Sequence, residues 1–300
     1  MQGSVLGPIL FIIYIDDIDT CLGNFSGFVS KFADDTKIAK VVKNKESAAE
    51  MQTIITNLEA WCKIWGMDFN IKKCCLMHFG YNNPKTEYKM ESQKLTASNN
   101  QQNLGIVVSD NLTPSAQCAQ AAKKANQVLG QINRSFSCHT KDVMSQIHKV
   151  FVRPHLEYAV AAWSPWHQKD KDTLEKIQRR ATRRISNIRG SYPERLRQLN
   201  LTTLEERRIR GDAIEVFKCL NGFWDIEKNS LLTLDNSNKP KTRHQNSHMP
   251  LVVPHARLDL RKNSFAVRGS VLWNSLPSNV RKSSSTNAFK NAYDLHMRTN

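Results

Sequence analysis

The segment Phe32-Ala33-Asp34-Asp35-Thr36 sets two carboxylates side by side after a short apolar run. Paired carboxylates are hard oxygen donors of the kind Mg2+ takes, one or two per ion, with waters and substrate phosphates completing the shell. Two such ions about 3.5–4 Å apart serve phosphoryl transfer: they activate an attacking hydroxyl and stabilise the leaving group. An isolated Asp-Asp pair is ordinarily a turn, because short polar side chains bond their own backbone there. A second pair, in Tyr14-Ile15-Asp16-Asp17, closes an apolar run, and there the two aspartates read as solvating a helix end.

The carboxylates need elements to hold them. Phe28 to Ala33 and Thr36 to Ala39 read as two short strands, which puts Asp34 and Asp35 at a hairpin tip. Gly7-Pro8 opens an apolar run that reaches about Asp19, and Pro8 suits a first helical turn. That run is apolar all round, so the spacing predicts a buried helix. Ser47 to Trp65 has helical spacing, with Met51, Ile54, Ile55, Leu58, Trp61, Cys62 and Trp65 on one face and Gly66 placed to end it. Strands are expected around Asp68–Asn70, Leu76–Gly80 and Leu104–Val108, and a helix over Ser115–Ser135. Beyond that the chain reads as helical over Asp142–Phe151, Leu156–Trp163, Asp170–Ile188 and Leu204–Leu220, with a last helix over Thr286–Met297. Residues 225–250 are rich in Asn, Ser, Lys and His and read as a linker.

The formal charge of +16 points to a polyanionic partner, with nucleic acid ahead of an anionic membrane surface. At 40% hydrophobic residues the chain can bury a core. Seven cysteines without metal-ligand spacing read as reduced thiols of an intracellular protein. The run Ile9–Ile15 lacks the flanks of a signal peptide and is far short of a membrane span. Between Lys171 and Arg210 there are twelve Lys/Arg against five Asp/Glu, and Lys176, Arg179, Arg180, Arg183 and Arg184 fall within helical reach of one another. Such a stretch is either a solvated helix face or a track for a phosphate backbone.

The surroundings of the Asp pair resemble a known family. Gln2-Gly3-Ser4-Val5-Leu6-Gly7-Pro8-Ile9-Leu10-Phe11 resembles the second core motif of non-LTR retrotransposon (LINE) reverse transcriptases, and Phe32-Ala33-Asp34-Asp35 their third. Trp65 to Lys73, followed by Met77-His78-Phe79-Gly80, is similar to the fourth, and Leu104-Gly105-Ile106 through Leu112 to the fifth. Val152-Arg153-Pro154-His155-Leu156-Glu157-Tyr158, Trp163-Ser164-Pro165, Gln178-Arg179-Arg180-Ala181-Thr182 and Leu272-Trp273-Asn274-Ser275-Leu276-Pro277 resemble the region after the palm. The jockey-like and chicken-repeat-like clades are the nearest in pattern.

That resemblance implies an α+β fold: a partial polymerase palm with a small antiparallel sheet over residues 1–112, a helical thumb-like region over 113–224, the linker 225–250 and a C-terminal region over 251–300. It implies Asp34 and Asp35 as catalytic ligands of Mg2+ and Gln2 and Gly3 as shaping the template and nucleotide pocket. Lys73 would be a proton donor to pyrophosphate, although Lys72 stands where the family often has Ser. Arg179, Arg180, Arg183 and Arg184 would contact nucleic acid. The partners would be an RNA template, a DNA primer and deoxynucleotides, in nucleus and cytoplasm, with no membrane. The family's first motif, which carries a third aspartate, and its fingers belong upstream of Gln2. The expectation is therefore a C-terminal portion that does not polymerise alone and whose missing N-terminal portion is a possible partner. The rival expectation is a non-catalytic nucleic-acid-binding remnant.

Overall fold

A computed structural model describes residues 4–23, 25–137, 139–224, 231–236 and 248–299. The fold is α+β, with helices dominant and, among the described residues, strands in two-stranded sheets. It divides into two compact units: Met1–Gln101 with Ser109–Leu112, and Gln102–Val108 with Thr113–Asn300.

In the first unit, α1 (Leu6–Tyr14) runs into a 3-10 turn (Asp16–Leu22), followed by β1 (Phe28–Phe32), β2 (Asp35–Ala39) and α2 (Lys45–Trp65). Helix α2 is the spine. Asn44 and Ser47 form a reciprocal capping box at its start, and Gly66 ends it at φ +63°, where a left-handed residue costs least without a Cβ. One side of α2 (Ile54, Leu58, Trp61, Cys62) packs with Ile15, Ile18 and Leu22, and with the half-buried Val29 and Ile38 of the hairpin. Its flank at Ile55 and Met51 meets Tyr88, Met90 and Leu95. Short strands β3 (Cys75–Leu76), β4 (Lys89–Met90), β5 (Gln93–Lys94) and β6 (Thr96–Ala97) complete this side. The Gln52 amide grips both backbone groups of Lys89, at 2.8 and 3.0 Å, and so replaces a strand partner.

Two expectations fail in this unit. The first helix is not buried: no residue of α1 is, and Ile9, Leu10, Ile12 and Ile13 are 52–67% exposed. Only Phe11 of α1 packs on the core, just ahead of the buried Ile15. Apolarity all round predicts burial only where something covers every face. Asp68–Asn70 is not a strand, because the chain there leads into a turn closed by the Asn70 carbonyl. The expected antiparallel pairing is present in two separate hairpins, β1–β2 and β4–β5, and β3–β6 adds a parallel pair.

β7 (Asn100–Asn103) and β8 (Ile106–Ser109) pair where the chain passes into the second unit. There α3 (Ser115–Ser135), α4 (Lys141–Ile147), a π turn (His148–Val152), α5 (Arg153–Glu157), α6 (Val160–Trp163), α7 (Gln168–Arg183) and α8 (Tyr192–Gln198) build one core, with Leu129, Val152, Leu156, Leu174 and Ala125 almost fully buried. Each such Leu is worth about 1.5–3 kcal/mol in apolar transfer. Pro154 lacks an N–H and would strike the carbonyl four residues back, so the helix widens into the π turn just before it. The expected helix Leu156–Trp163 is broken at Ala159 (φ +48°), and the Trp163 indole donates to the freed carbonyl of Tyr158 at 2.8 Å.

α9 (Leu204–Leu220), α10 (Asp259–Lys262), α11 (Phe265–Ser275), α12 (Ser278–Arg281) and α13 (Thr286–Thr299) build a second core around Phe217, Trp273 and Phe289. Arg268 pairs with Asp212 at 2.8 and 3.1 Å, and Arg210 with Asp294 at 2.6 and 2.8 Å. Residues 231–236 and 248–253 meet in a bridge at Leu234 and Leu251. Most of the expected linker, residues 225–230 and 237–247, lies outside the described residues.

Candidate functional site

Phe32 pairs with Asp35 across β1–β2, so Ala33 and Asp34 form a two-residue loop. Tight hairpin loops need a left-handed residue, and Ala33 supplies it at φ +50°. A Cβ in that region is strained, and such strain tends to gather at sites the surrounding structure over-determines. Asp34 stands in the loop and Asp35 opens β2. Both are exposed, and among the described residues neither carboxylate is engaged in a hydrogen bond or ion pair. On the outward face Phe28 and Phe32 are also exposed.

This donor set fits Mg2+: two hard oxygen ligands on a fixed turn, open to solvent and free of competing cations. Among the described residues no group of three or more His, Cys, Asp or Glu side chains is placed to hold a metal ion, so the pair would rely on water and substrate phosphate for its remaining ligands.

Lys73 lies with Lys72 on the exposed turn closed by the Asn70 carbonyl, at 2.8 Å from the Lys73 amide. The structure does not single out either lysine. Gln2 and Gly3 lie outside the described residues.

In the second unit, α7 turns Leu174, Ile177, Gln178, Ala181 and Thr182 inward and leaves Lys176, Arg179, Arg180 and Arg183 on the opposite, exposed side. The helix ends at Arg183, short of the expected Ile188, and Arg184 is its C-cap. Arg179 stacks on the Tyr192 ring at 5.0 Å, and Arg180 donates to the Asn126 amide oxygen on α3 at 2.8 Å. Lys176, Arg183 and Arg184 have no partner among the described residues. The Arg180–Asn126 bond brings in an edge that the charge count alone did not mark: Lys123 and Lys124 flank it on α3, both exposed. Trp163 is core, 5% exposed, and is no stacking platform.

The thiols are free among the described residues. Burial pushes Cys62 up to about 11 and Cys118 up to about 12, so neither carries thiolate at neutral pH.

Residues 1–131 match the family described as reverse transcriptase (RNA-dependent DNA polymerase). Over 229 residues the chain is 26% identical to a probable RNA-directed DNA polymerase from transposon BS of Drosophila melanogaster. That likeness spans 70% of this chain and 25% of the relative, so the chain corresponds to about a quarter of the relative's length. No solved structure matches the chain. The hairpin and Lys73 lie inside the stretch matched to the family, and the α7 arginines lie beyond it.

Proposed function

We infer that the chain is the C-terminal portion of an RNA-directed DNA polymerase of a LINE retrotransposon of the jockey-like or chicken-repeat-like kind. One observation carries the reading: within a stretch similar to reverse transcriptases, the two adjacent carboxylates Asp34 and Asp35 stand exposed and uncompensated on a tight hairpin.

The reaction is nucleotidyl transfer from a deoxynucleotide to a primer 3′-hydroxyl on an RNA template. Asp34 and Asp35 would hold Mg2+, which supplies Lewis-acid stabilisation of the attacking oxygen and of the departing pyrophosphate. The hairpin keeps both carboxylates reachable. Lys73, on its exposed turn, would give a proton to pyrophosphate. Gln2 and Gly3 would shape the nucleotide pocket. Arg179, Arg180, Arg183 and Arg184 would track the nucleic-acid backbone, where contacts supply affinity without sequence information. On this reading the protein would work on nucleic acid, in nucleus and cytoplasm.

Among the described residues the site has two carboxylates from one hairpin, and we hold that synthesis needs a third ligand from another polymerase segment. The test is primer extension on an RNA template with Mg2+, using the chain alone and with such a segment in trans. Extension is expected only in the second case and is lost with Asp34→Asn. Extension indifferent to Asp34→Asn overturns the reading, as does the absence of divalent-ion binding at the hairpin tip.

A second reading, a non-catalytic nucleic-acid-binding remnant, is favoured by the unpartnered Lys176, Arg183 and Arg184. Binding that survives loss of Asp34 and Asp35, without extension in either arm, would select it.

A further inference from the structure

The second acidic motif has a role that helix-end solvation does not describe. Lys31 lies on the inward face of β1 with Val29, and across the ladder it meets Thr36. Its Nζ donates to the Asp16 carbonyl at 2.8 Å and pairs with Asp19 Oδ2 at 2.8 Å, with Asp16 Oδ1 at 4.0 Å. The 3-10 turn that carries these acids is itself pinned to α2. The Trp61 indole donates to Asp17 Oδ1 at 3.2 Å, the Asn57 amide donates to the Cys21 carbonyl at 3.1 Å, and Ile18 and Leu22 are buried beside Leu58 and Trp61.

A line of contacts thus runs from α2 through the acidic turn to Lys31. Lys31 stands one ladder pair from Phe32–Asp35, beyond which only Ala33 and Asp34 remain. On the outward face Phe28 and Phe32 are 63% and 60% exposed, so among the described residues they anchor nothing. An isolated two-stranded hairpin is marginal in water, whereas cation ligands must be held to within about 0.5 Å.

We propose that Lys31, held by Asp19 and the Asp16 carbonyl, is the positioning residue for Asp34 and Asp35: it fixes the pitch of the hairpin so that the two carboxylates share one cation. The inference rests on the reading of Asp34 and Asp35 as cation ligands. It assigns Asp16, Asp17 and Asp19 to the support of the site and not to a second site.

The test uses the 300-residue chain, with 15N relaxation at the Ala33, Asp34 and Asp35 amides and their paramagnetic broadening on titration with Mn2+. Lys31→Ala and Asp19→Asn are expected to raise fast motion at these three amides and to weaken Mn2+ at the tip about threefold, in line with the modest strength of half-exposed ion pairs. Lys31→Arg restores both readouts, while tryptophan-monitored melting of the α2 core stays near that of the parent. Tip amides as ordered in Lys31→Ala and Asp19→Asn as in the parent would overturn the proposal. Should Lys31→Ala fail to fold, Asp19→Asn decides alone. If Mn2+ broadens neither Asp34 nor Asp35 in the parent, the cation reading fails, and the relaxation data still decide whether Lys31 positions the tip.

Discussion

His148 donates from Nε2 to the side-chain oxygen of Gln178 at 3.3 Å, inside the core of the second unit. The direction follows from Gln178 itself. Its amide nitrogen already faces Glu175 Oε1 at 3.3 Å, the Tyr192 hydroxyl at 3.1 Å and the Thr202 carbonyl at 3.0 Å, which leaves the oxygen to accept. His148 Nδ1 is then a buried lone pair without a partner. Burial lowers the His148 pKa; Arg153 and Arg207 add to this, against the Gln178 bond and Glu157. Below about pH 6.5 the unfolded chain takes up a proton that the folded one resists, so stability is full above that pH and falls as pH drops toward the lowered folded value. Melting midpoints should fall between pH 7 and pH 5, with at most about 1.4 kcal/mol per pH unit from this one group. His148→Gln should flatten that dependence, and equal pH slopes for parent and variant would refute the assignment.

The tip of the carboxylate hairpin stores strain. Ala33 sits at φ +50°, where a Cβ costs about 1–2 kcal/mol. Ala33→Gly removes that cost but gives the unfolded chain more freedom, worth about 0.4–1 kcal/mol the other way. The net expectation is a neutral to slightly stabilising change. Ala33→Val should destabilise by about 1–2 kcal/mol, because a β-branched residue is a genuine outlier there. Urea midpoints measure both, and a stabilising Ala33→Val would mean that the loop is not left-handed.

Local signals in the chain carried much of the fold. The expected helix Ser47–Trp65 is α2, ended by Gly66 as expected, and it starts two residues earlier, at Lys45 behind its Asn44 cap. The expected helix over Ser115–Ser135 is α3, since its apolar stripe repeats cleanly. Non-local features did not show. The exposure of α1 depends on what covers it, which no periodicity encodes. The break at Ala159 depends on Trp163 reaching back to Tyr158. At the candidate site, two short strands around polar turn residues put Asp34 and Asp35 at a hairpin tip; the loop is Ala33-Asp34, one residue earlier, and Asp35 opens β2. Lys31 went unnoticed, although a lysine in register with Val29 on the inward face of a strand is itself a signal that a buried or half-buried partner exists.

The late Trp273-Asn274 pair is a structural clamp. The Asn274 amide accepts from the Leu251 N–H at 2.9 Å and donates to the Leu251 carbonyl at 2.7 Å, while the Trp273 indole donates to the Met249 carbonyl at 2.8 Å. Leu251 is 3% exposed, so removing the amide leaves two of its backbone groups without their partner. Asn274→Ala should cost about 1–3 kcal/mol. Asn274→Asp keeps the acceptor and loses the donor, and should fall between the two. Limited proteolysis of the second unit reads the order directly, and a variant as resistant as the parent would show that the clamp holds nothing.

The basic edge of the second unit makes a prediction that separates affinity from chemistry. Arg183 and Arg184 are exposed and unpartnered among the described residues, whereas Arg179 is stacked on Tyr192 and Arg180 is tied to Asn126. A free guanidinium can follow a phosphate backbone without giving up an internal contact. Each such contact releases counterion and adds about 0.9 to the slope of log K against log salt on a duplex. The double variant Arg183→Ala with Arg184→Ala should therefore bind RNA–DNA duplex more weakly and with a slope shallower by about 2. Arg179→Ala should have a mixed effect, because losing the Tyr192 stack also disturbs the fold and so shows in melting as well as binding. Asp34→Asn with Asp35→Asn should leave the slope unchanged or bind slightly tighter, since two negative charges are removed. Filter-binding titrations from 50 to 300 mM salt, on the order of a Debye-length change of twofold, resolve these cases. A slope insensitive to Arg183 and Arg184 would move the nucleic-acid track off α7.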